Sequence, residues 1–161
     1  MDSVDAHHAI HDALRSYCRG IDRLDAQLVM AAFHAGAQLI DYGAESMTIE
    51  AFAEYAVASL GRRFVATQHR LSNVTIQFSS TSNAKVEAYV LAFHVQANGD
   101  ETLLHTFNGR YIDQFEEREG TWKIVRRTLR NDWSRIETIA APMSGSWLRS
   151  GRGGSPDPFD A

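Results

Sequence analysis

The sequence predicts an α+β domain, with N-terminal helices packed on a strongly curved, mostly antiparallel sheet and a pocket between the layers. Three observations predict it. Apolar residues recur at spacings of three and four through the first third of the chain, then at two from Phe64 onward. Helices followed by a run of strands form the α+β pattern. A length of 161 residues is most simply one domain, long enough for a real core.

The first helix spans 5–22, where Ile10, Leu14, Tyr17 and Ile21 make one apolar stripe. Asp22 sits at the margin of that stripe, one turn beyond Cys18, in or just past the last turn. It meets the negative end of the helix dipole there, a penalty of about 0.3–1 kcal/mol. Arg19 and Arg23 offset this, yet a carboxylate placed against its local preference invites a functional reason. Asp25 is simpler: it precedes Ala26-Gln27-Leu28-Val29-Met30 and reads as the N-cap of a second helix over 26–34.

Residues 37–43 read as a strand ending at Gly43, and 49–60 as a third helix with Phe52, Tyr55, Ala56 and Leu60 on one side and Gly61 as its stop. Four strands follow. The first spans 64–79 and ends in a Ser/Thr/Asn turn, and the second spans 84–97. Asn98-Gly99 is a hairpin signal for a type I′ turn. The third strand covers 102–117 with a bulge at Asn108-Gly109, and Arg118-Glu119-Gly120 turns the chain into the fourth, 122–133. After Pro142 the composition collapses into Ser, Gly, Pro and Arg. The domain is therefore 1–141 and the tail 142–161, mobile over 149–161, with Trp147 and Leu148 placed to dock on the body or a neighbouring subunit.

Several function classes are excluded. The net charge of −4 is mild and the sixteen Lys and Arg residues are scattered, so no nucleic-acid partner is expected. No apolar run approaches the ~20 residues that span a bilayer, no signal peptide is visible, and the single Cys18 excludes an internal disulfide. Those features fit a cytoplasmic protein. Neither a G-x-G-x-x-G nor a Walker pattern occurs. His7 and His11 are an i, i+4 pair, but no third ligand stands in register, so they read as solvated histidines and no metal site is expected.

The residues that can carry chemistry converge on one space. His69 lies mid-strand, and alternation puts it on a face with Val65, Leu71 and the amide of Asn73. A lone strand histidine is more often structural. Taken with Asp22 the balance shifts, because a carboxylate that fixes an imidazole tautomer makes a positioned general base. Tyr17, on the stripe one turn before Asp22, adds a phenol donor. His94 shares a face with the small Val90 and Ala92, which leave room for a ligand. Arg110, Arg127, Asn131 and Trp133 are weaker candidates: the arginines suit solvation or ion pairing equally well, and Trp122 and Trp133 suit the core.

Several of these motifs together resemble the SnoaL-like branch of the NTF2-like superfamily over roughly residues 5–136. They are the Tyr-x4-Asp of Tyr17 to Asp22, Gln68-His69 followed by Leu71-Ser72-Asn73, and Gly109-Arg110-Tyr111-Ile112-Asp113 leading through Trp122-Lys123-Ile124 to Asp132-Trp133. The first two look like the sites of scytalone dehydratase, bile acid 7α-dehydratase and hexachlorocyclohexane dehydrochlorinase. The resemblance implies a cone-shaped fold, a homodimer or homotrimer, a deep pocket and no cofactor. It implies a lyase (dehydratase or dehydrohalogenase type) or isomerase acting on a hydrophobic cyclic small molecule. In that reading Asp22 and His69 form the dyad and Tyr17 assists; His94, Asn73, Arg110 and Trp133 are candidate substrate contacts from their own strand positions, not from the resemblance. Two other readings stand beside it: a non-catalytic ligand-binding protein or structural subunit of the dioxygenase small-subunit type, and a polyketide cyclase-like enzyme in which one carboxylate does the work.

Overall fold

The computed structural model describes residues 3–42, 47–140 and 152–154. Three helices, α1 (Ser3–Arg23), α2 (Ala26–Ala31) and α3 (Ile49–Arg63), are interrupted by strand β1 (Phe33–Ile40). They are followed by β2 (Ala66–Phe78), β3 (Asn83–Asn98), β4 (Glu101–Arg118) and β5 (Thr121–Ile139). The sheet order is β1-β5-β4-β3-β2, antiparallel throughout except that β1 pairs parallel to β5.

The α1 stripe is the heart of the core: Ile10, Leu14, Tyr17 and Ile21 are all buried. The helix ends in a Schellman turn. Leu24 takes the left-handed conformation at φ 60°, and the Asp25 N–H donates back to the Gly20 carbonyl at 2.8 Å. A leucine there costs about 1–2 kcal/mol relative to glycine. The turn is held because Asp25 then caps α2, accepting from the N–H groups of Gln27 (2.9 Å) and Leu28 (3.1 Å).

Several boundaries move from their sequence positions. The second helix stops at Ala31 instead of residue 34, and β1 starts at Phe33 instead of residue 37. Val29, Ala32 and Phe33 continue a helical spacing, but Phe33 is drawn into register with Ile124 of β5 and Gly36 breaks the regular pairing at φ 77°. Gly43 and its neighbours to residue 46 lie outside the described residues. Helix α3 runs through Gly61 to Arg63, with the Phe64 N–H closing on the Leu60 carbonyl at 3.0 Å. The β3–β4 hairpin loop is Gly99-Asp100, not Asn98-Gly99, since Asn98 pairs with Glu101. Only Gly99 has positive φ, the signature of a type II′ turn, which wants glycine first. Strand β5 continues to Ile139 because its second half pairs with the start of β4.

The irregularity expected at Asn108-Gly109 is present, but the extra residue belongs to the partner strand. Asn108 faces Trp133 and Gly109 faces Asn131, leaving Asp132 unpaired in the ladder. Further bulges, at Asn73 in β2 and between Ile124 and Arg126 in β5, reset which residues face the helices. Trp122 is buried, whereas Trp133 is 52% exposed and belongs to no core. Of the expected tail, Arg152–Gly154 are described and are hydrogen-bonded to the body: Arg152 donates to the Phe64 carbonyl and Gly153 to that of Arg23. Trp147, Leu148 and the rest of the tail lie outside the described residues.

A Cβ at Gly109 would sit 2.1 Å from the Arg130 carbonyl oxygen. Gly109→Ala is expected to lower the unfolding free energy by about 1–3 kcal/mol, read as a lower urea midpoint at unchanged slope.

Candidate active site

The last turn of α1 and the start of β2 meet at Asp22 and His69. One Asp22 oxygen accepts the His69 backbone N–H at 2.8 Å, and the other lies 2.8 Å from His69 Nδ1. A carboxylate that accepts from both the main chain and the ring of one residue fixes ring position and tautomer together. Nδ1 carries the proton, so Nε2 is the basic nitrogen left for a ligand. Both side chains are largely buried, at 9% exposure for His69 and 16% for Asp22. Burial alone would push the Asp22 carboxyl up, but the His69 ring and backbone hydrogen bonds outweigh it and hold it below the usual carboxylate value.

His69 opens onto a cavity of about 310 Å³ between the helices and the sheet. Tyr17, Tyr42, Phe52, Phe107 and Tyr111 give it an aromatic wall. The Tyr17 and Tyr42 hydroxyls are 3.5 Å apart, and the Tyr17 and Tyr111 rings meet edge to face at 5.6 Å. Burial raises all three phenols above their ordinary value, so each is a neutral donor at neutral pH. Beneath them lies Arg127, its guanidinium 4.3 Å from the Tyr17 ring centre and 4.1 Å from that of Tyr111. Asp113, directly across the ladder, accepts from Arg127 Nε and Nη2 at 2.8 and 2.7 Å, and neither side chain is exposed.

His94 is in the site as expected. Its ring meets His69 edge-on at 5.3 Å and lines the cavity. Burial first, and then the neighbouring His69, push it down to about 4, so it is a neutral imidazole at pH 7. Four other candidates fall elsewhere. Asn73 is exposed at the β2 bulge, with φ 47°, because the bulge ends the phase that His69 and Leu71 share; Val65, just before the strand, is 59% exposed. Arg110 follows Gly109, so alternation turns it to the outer face of the sheet. There it donates to both Asp132 oxygens and to Glu87. Trp133 pairs with Asn108 on that same outer face, away from Phe107. Asn131 is exposed, opposite Gly109, and donates to the Ser134 hydroxyl at 3.4 Å. His7 packs edge-on against Phe78 at 5.0 Å, and no cluster of three or more potential metal ligands occurs among the described residues.

Sequence reasoning missed Tyr42, Tyr111 and the buried Arg127–Asp113 pair. Tyr111 and Asp113 share a strand phase with Phe107, which is a readable signal. Arg127 stood among the weaker candidates, but its burial against Asp113 carried no signal, because the β5 bulge shifts its phase relative to Trp122 and Ile124.

A family model described as a SnoaL-like domain matches residues 2–128. No curated protein matches the chain. Similar solved structures include a protein of Novosphingobium aromaticivorans provisionally named a scytalone dehydratase, at TM-score 0.69 and 23% identity, covering 91% of this chain and 95% of that one. Hexachlorocyclohexane dehydrochlorinase LinA type 2 superposes at TM-score 0.73 with 18% identity, covering 90% and 97%. A second Novosphingobium aromaticivorans protein, provisionally named an aromatic ring hydroxylase, gives 0.69 and 21%, covering 86% and 96%. At these identities the likeness shows the fold alone. No described helix is long and apolar enough to cross a membrane.

Two outcomes follow from the buried charges. Removing one partner of the Arg127–Asp113 pair strands the other, so Asp113→Asn is expected to cost about 3–5 kcal/mol in denaturant unfolding. His94 is held down in the folded state, so the unfolded chain binds more protons as pH falls below its ordinary 6.5. Stability is full above that value and declines toward about 4. Between pH 7.5 and 5 the wild type is expected to lose about 2 kcal/mol that His94→Gln does not lose.

Proposed function

The chain belongs to the SnoaL-like domain family, and on that premise we propose that it is a cofactor-independent lyase or isomerase acting on a hydrophobic cyclic small molecule. One observation carries the reading: the 2.8 Å contact of His69 Nδ1 with Asp22, made by a histidine that lines an aromatic cavity. His69 Nε2 removes a proton from a substrate carbon, and Asp22 stabilises the imidazolium that forms. The electron pair released from the C–H bond moves into a new C=C bond or an enolate. In an elimination the pair then expels hydroxide or halide from the adjacent carbon. In an isomerisation His69 returns the proton one position along. Tyr17 polarises a carbonyl or donates a hydrogen bond to the departing group, with the Arg127 cation under its ring strengthening it as a donor.

The same geometry weighs on the other two readings. A polyketide cyclase-like site, in which the carboxylate acts directly, would leave Asp22 free to face substrate; here both of its oxygens are engaged by His69. A purely structural subunit has no need of a basic nitrogen presented to a cavity. The subunit arrangement we propose is a homodimer or homotrimer, following the family.

The test is a screen of hydroxylated and halogenated cyclic compounds, read by mass spectrometry so that loss of water or hydrogen halide is separated from mass-neutral isomerisation. For a compound that is turned over, His69→Ala is expected to cut kcat by about 10²–10⁴-fold. Asp22→Asn is expected to cost a comparable factor, because it disturbs the tautomer. Unchanged turnover in His69→Ala would end the proposal, and a far larger loss in Asp22→Asn than in His69→Gln would favour the cyclase reading.

A further inference from the structure

Past His94 the helix-covered face changes character. A second, open recess of about 660 Å³, at whose rim Arg63, Ser134, Arg135 and Ile136 are exposed, adjoins the first and shares Leu60, Arg63, His94 and Phe107 with it. The register explains its lining. His94 pairs with His105, His105 with Ile136, and Phe107 with Ser134, so these side chains share one face of the sheet. Phe64 closes the far side. Its ring meets His94 at 4.9 Å and His105 at 5.3 Å, and the Arg63 guanidinium lies over it at 5.0 Å. One aromatic platform thus gathers two imidazoles and a cation around a common space.

The charge balance of that space is one-sided. Among the described residues, no Asp or Glu lines it. Arg135, at its edge, is paired with Glu137 at 2.8 Å, whereas Arg63 has no carboxylate partner among the described residues. Its place in the last turn of α3 suits the helix dipole and its guanidinium lies over the Phe64 ring, but neither uses its N–H donors. His94, neutral at pH 7, and the Ser134 hydroxyl add donors without adding charge. An aromatic chamber that leads into a donor-rich, cation-bearing compartment fits an amphiphilic ligand.

We propose that the second recess binds an oxyanion substituent, a carboxylate or a phosphate, of a substrate whose ring occupies the first cavity, with Arg63 as its counter-ion. This rests on the first cavity being the ring chamber of the proposed reaction and names the substrate class: cyclic and anionic at one end. Arg63 is a specificity residue here and takes no part in proton transfer.

The purified full chain, titrated calorimetrically at low salt with 2-naphthol, 2-naphthoate and 2-naphthyl phosphate, tests this. At least one anion is expected to bind about tenfold more tightly than 2-naphthol. Arg63→Gln should abolish that preference while leaving 2-naphthol within about twofold, and Arg63→Lys should restore part of it. The arm with the larger Arg63-dependent gain identifies carboxylate or phosphate. Anions that bind no more tightly than 2-naphthol, or a preference that survives Arg63→Gln, would overturn the proposal. The His69 imidazole resonances report the ring chamber separately. If they are unmoved by 2-naphthol while an Arg63-dependent anion preference persists, the ring-chamber reading fails and the anion site stands.

Discussion

The interaction on which the rest depends is the double acceptance of His69 by Asp22. It joins the C-terminal turn of a helix to the start of a strand, across 47 positions of sequence. Hydrogen bonds to a charged partner contribute about 1.5–3 kcal/mol, enough to offset the unfavourable end of the α1 dipole several times over. The carboxylate that is badly placed for its own helix is well placed for the sheet. Local preference is overridden at the point where the two layers must be fixed relative to one another, and that point is also where the basic nitrogen is oriented.

Around this joint the molecule keeps two kinds of buried polarity apart. Asp113 accepts from Arg127 Nε and Nη2 in full burial beneath the tyrosines, whose rings lie against the rest of the guanidinium. Such a pair adds little net stability but punishes the loss of either member. His94, in contrast, has neither an acidic partner nor free solvation, and it stays neutral for that reason. The site therefore offers one oriented base, neutral donors and a buried cation at fixed distances. That is a preorganised polar frame within an apolar wall.

The bulges do the geometric work. With strict alternation from end to end, Arg127 would not share a side with Trp122 and Ile124, and Asn73 would have stayed with His69. One additional residue in β2 and one at each of two places in β5 curve the sheet and reassign faces. Gly109 permits the closest backbone approach at one of these positions. Curvature opens the space between the layers, and reassignment decides which side chains line it.

The α1 stripe, the Asp25 cap, the four-strand run and the awkward helix position of Asp22 follow from periodicity and helix electrostatics. These are local signals, carried within a turn or a strand. What only the tertiary structure decided is everything that depends on strand phase beyond a bulge: the outward turn of Arg110 and Trp133, the exposure of Asn73, and the burial of Arg127 against Asp113. A period of two carries no memory across an inserted residue, and register between strands is set by partners tens of positions away. The second recess is of the same kind, since Phe64, His94, His105 and Ser134 come together only when three strands and a helix end are paired.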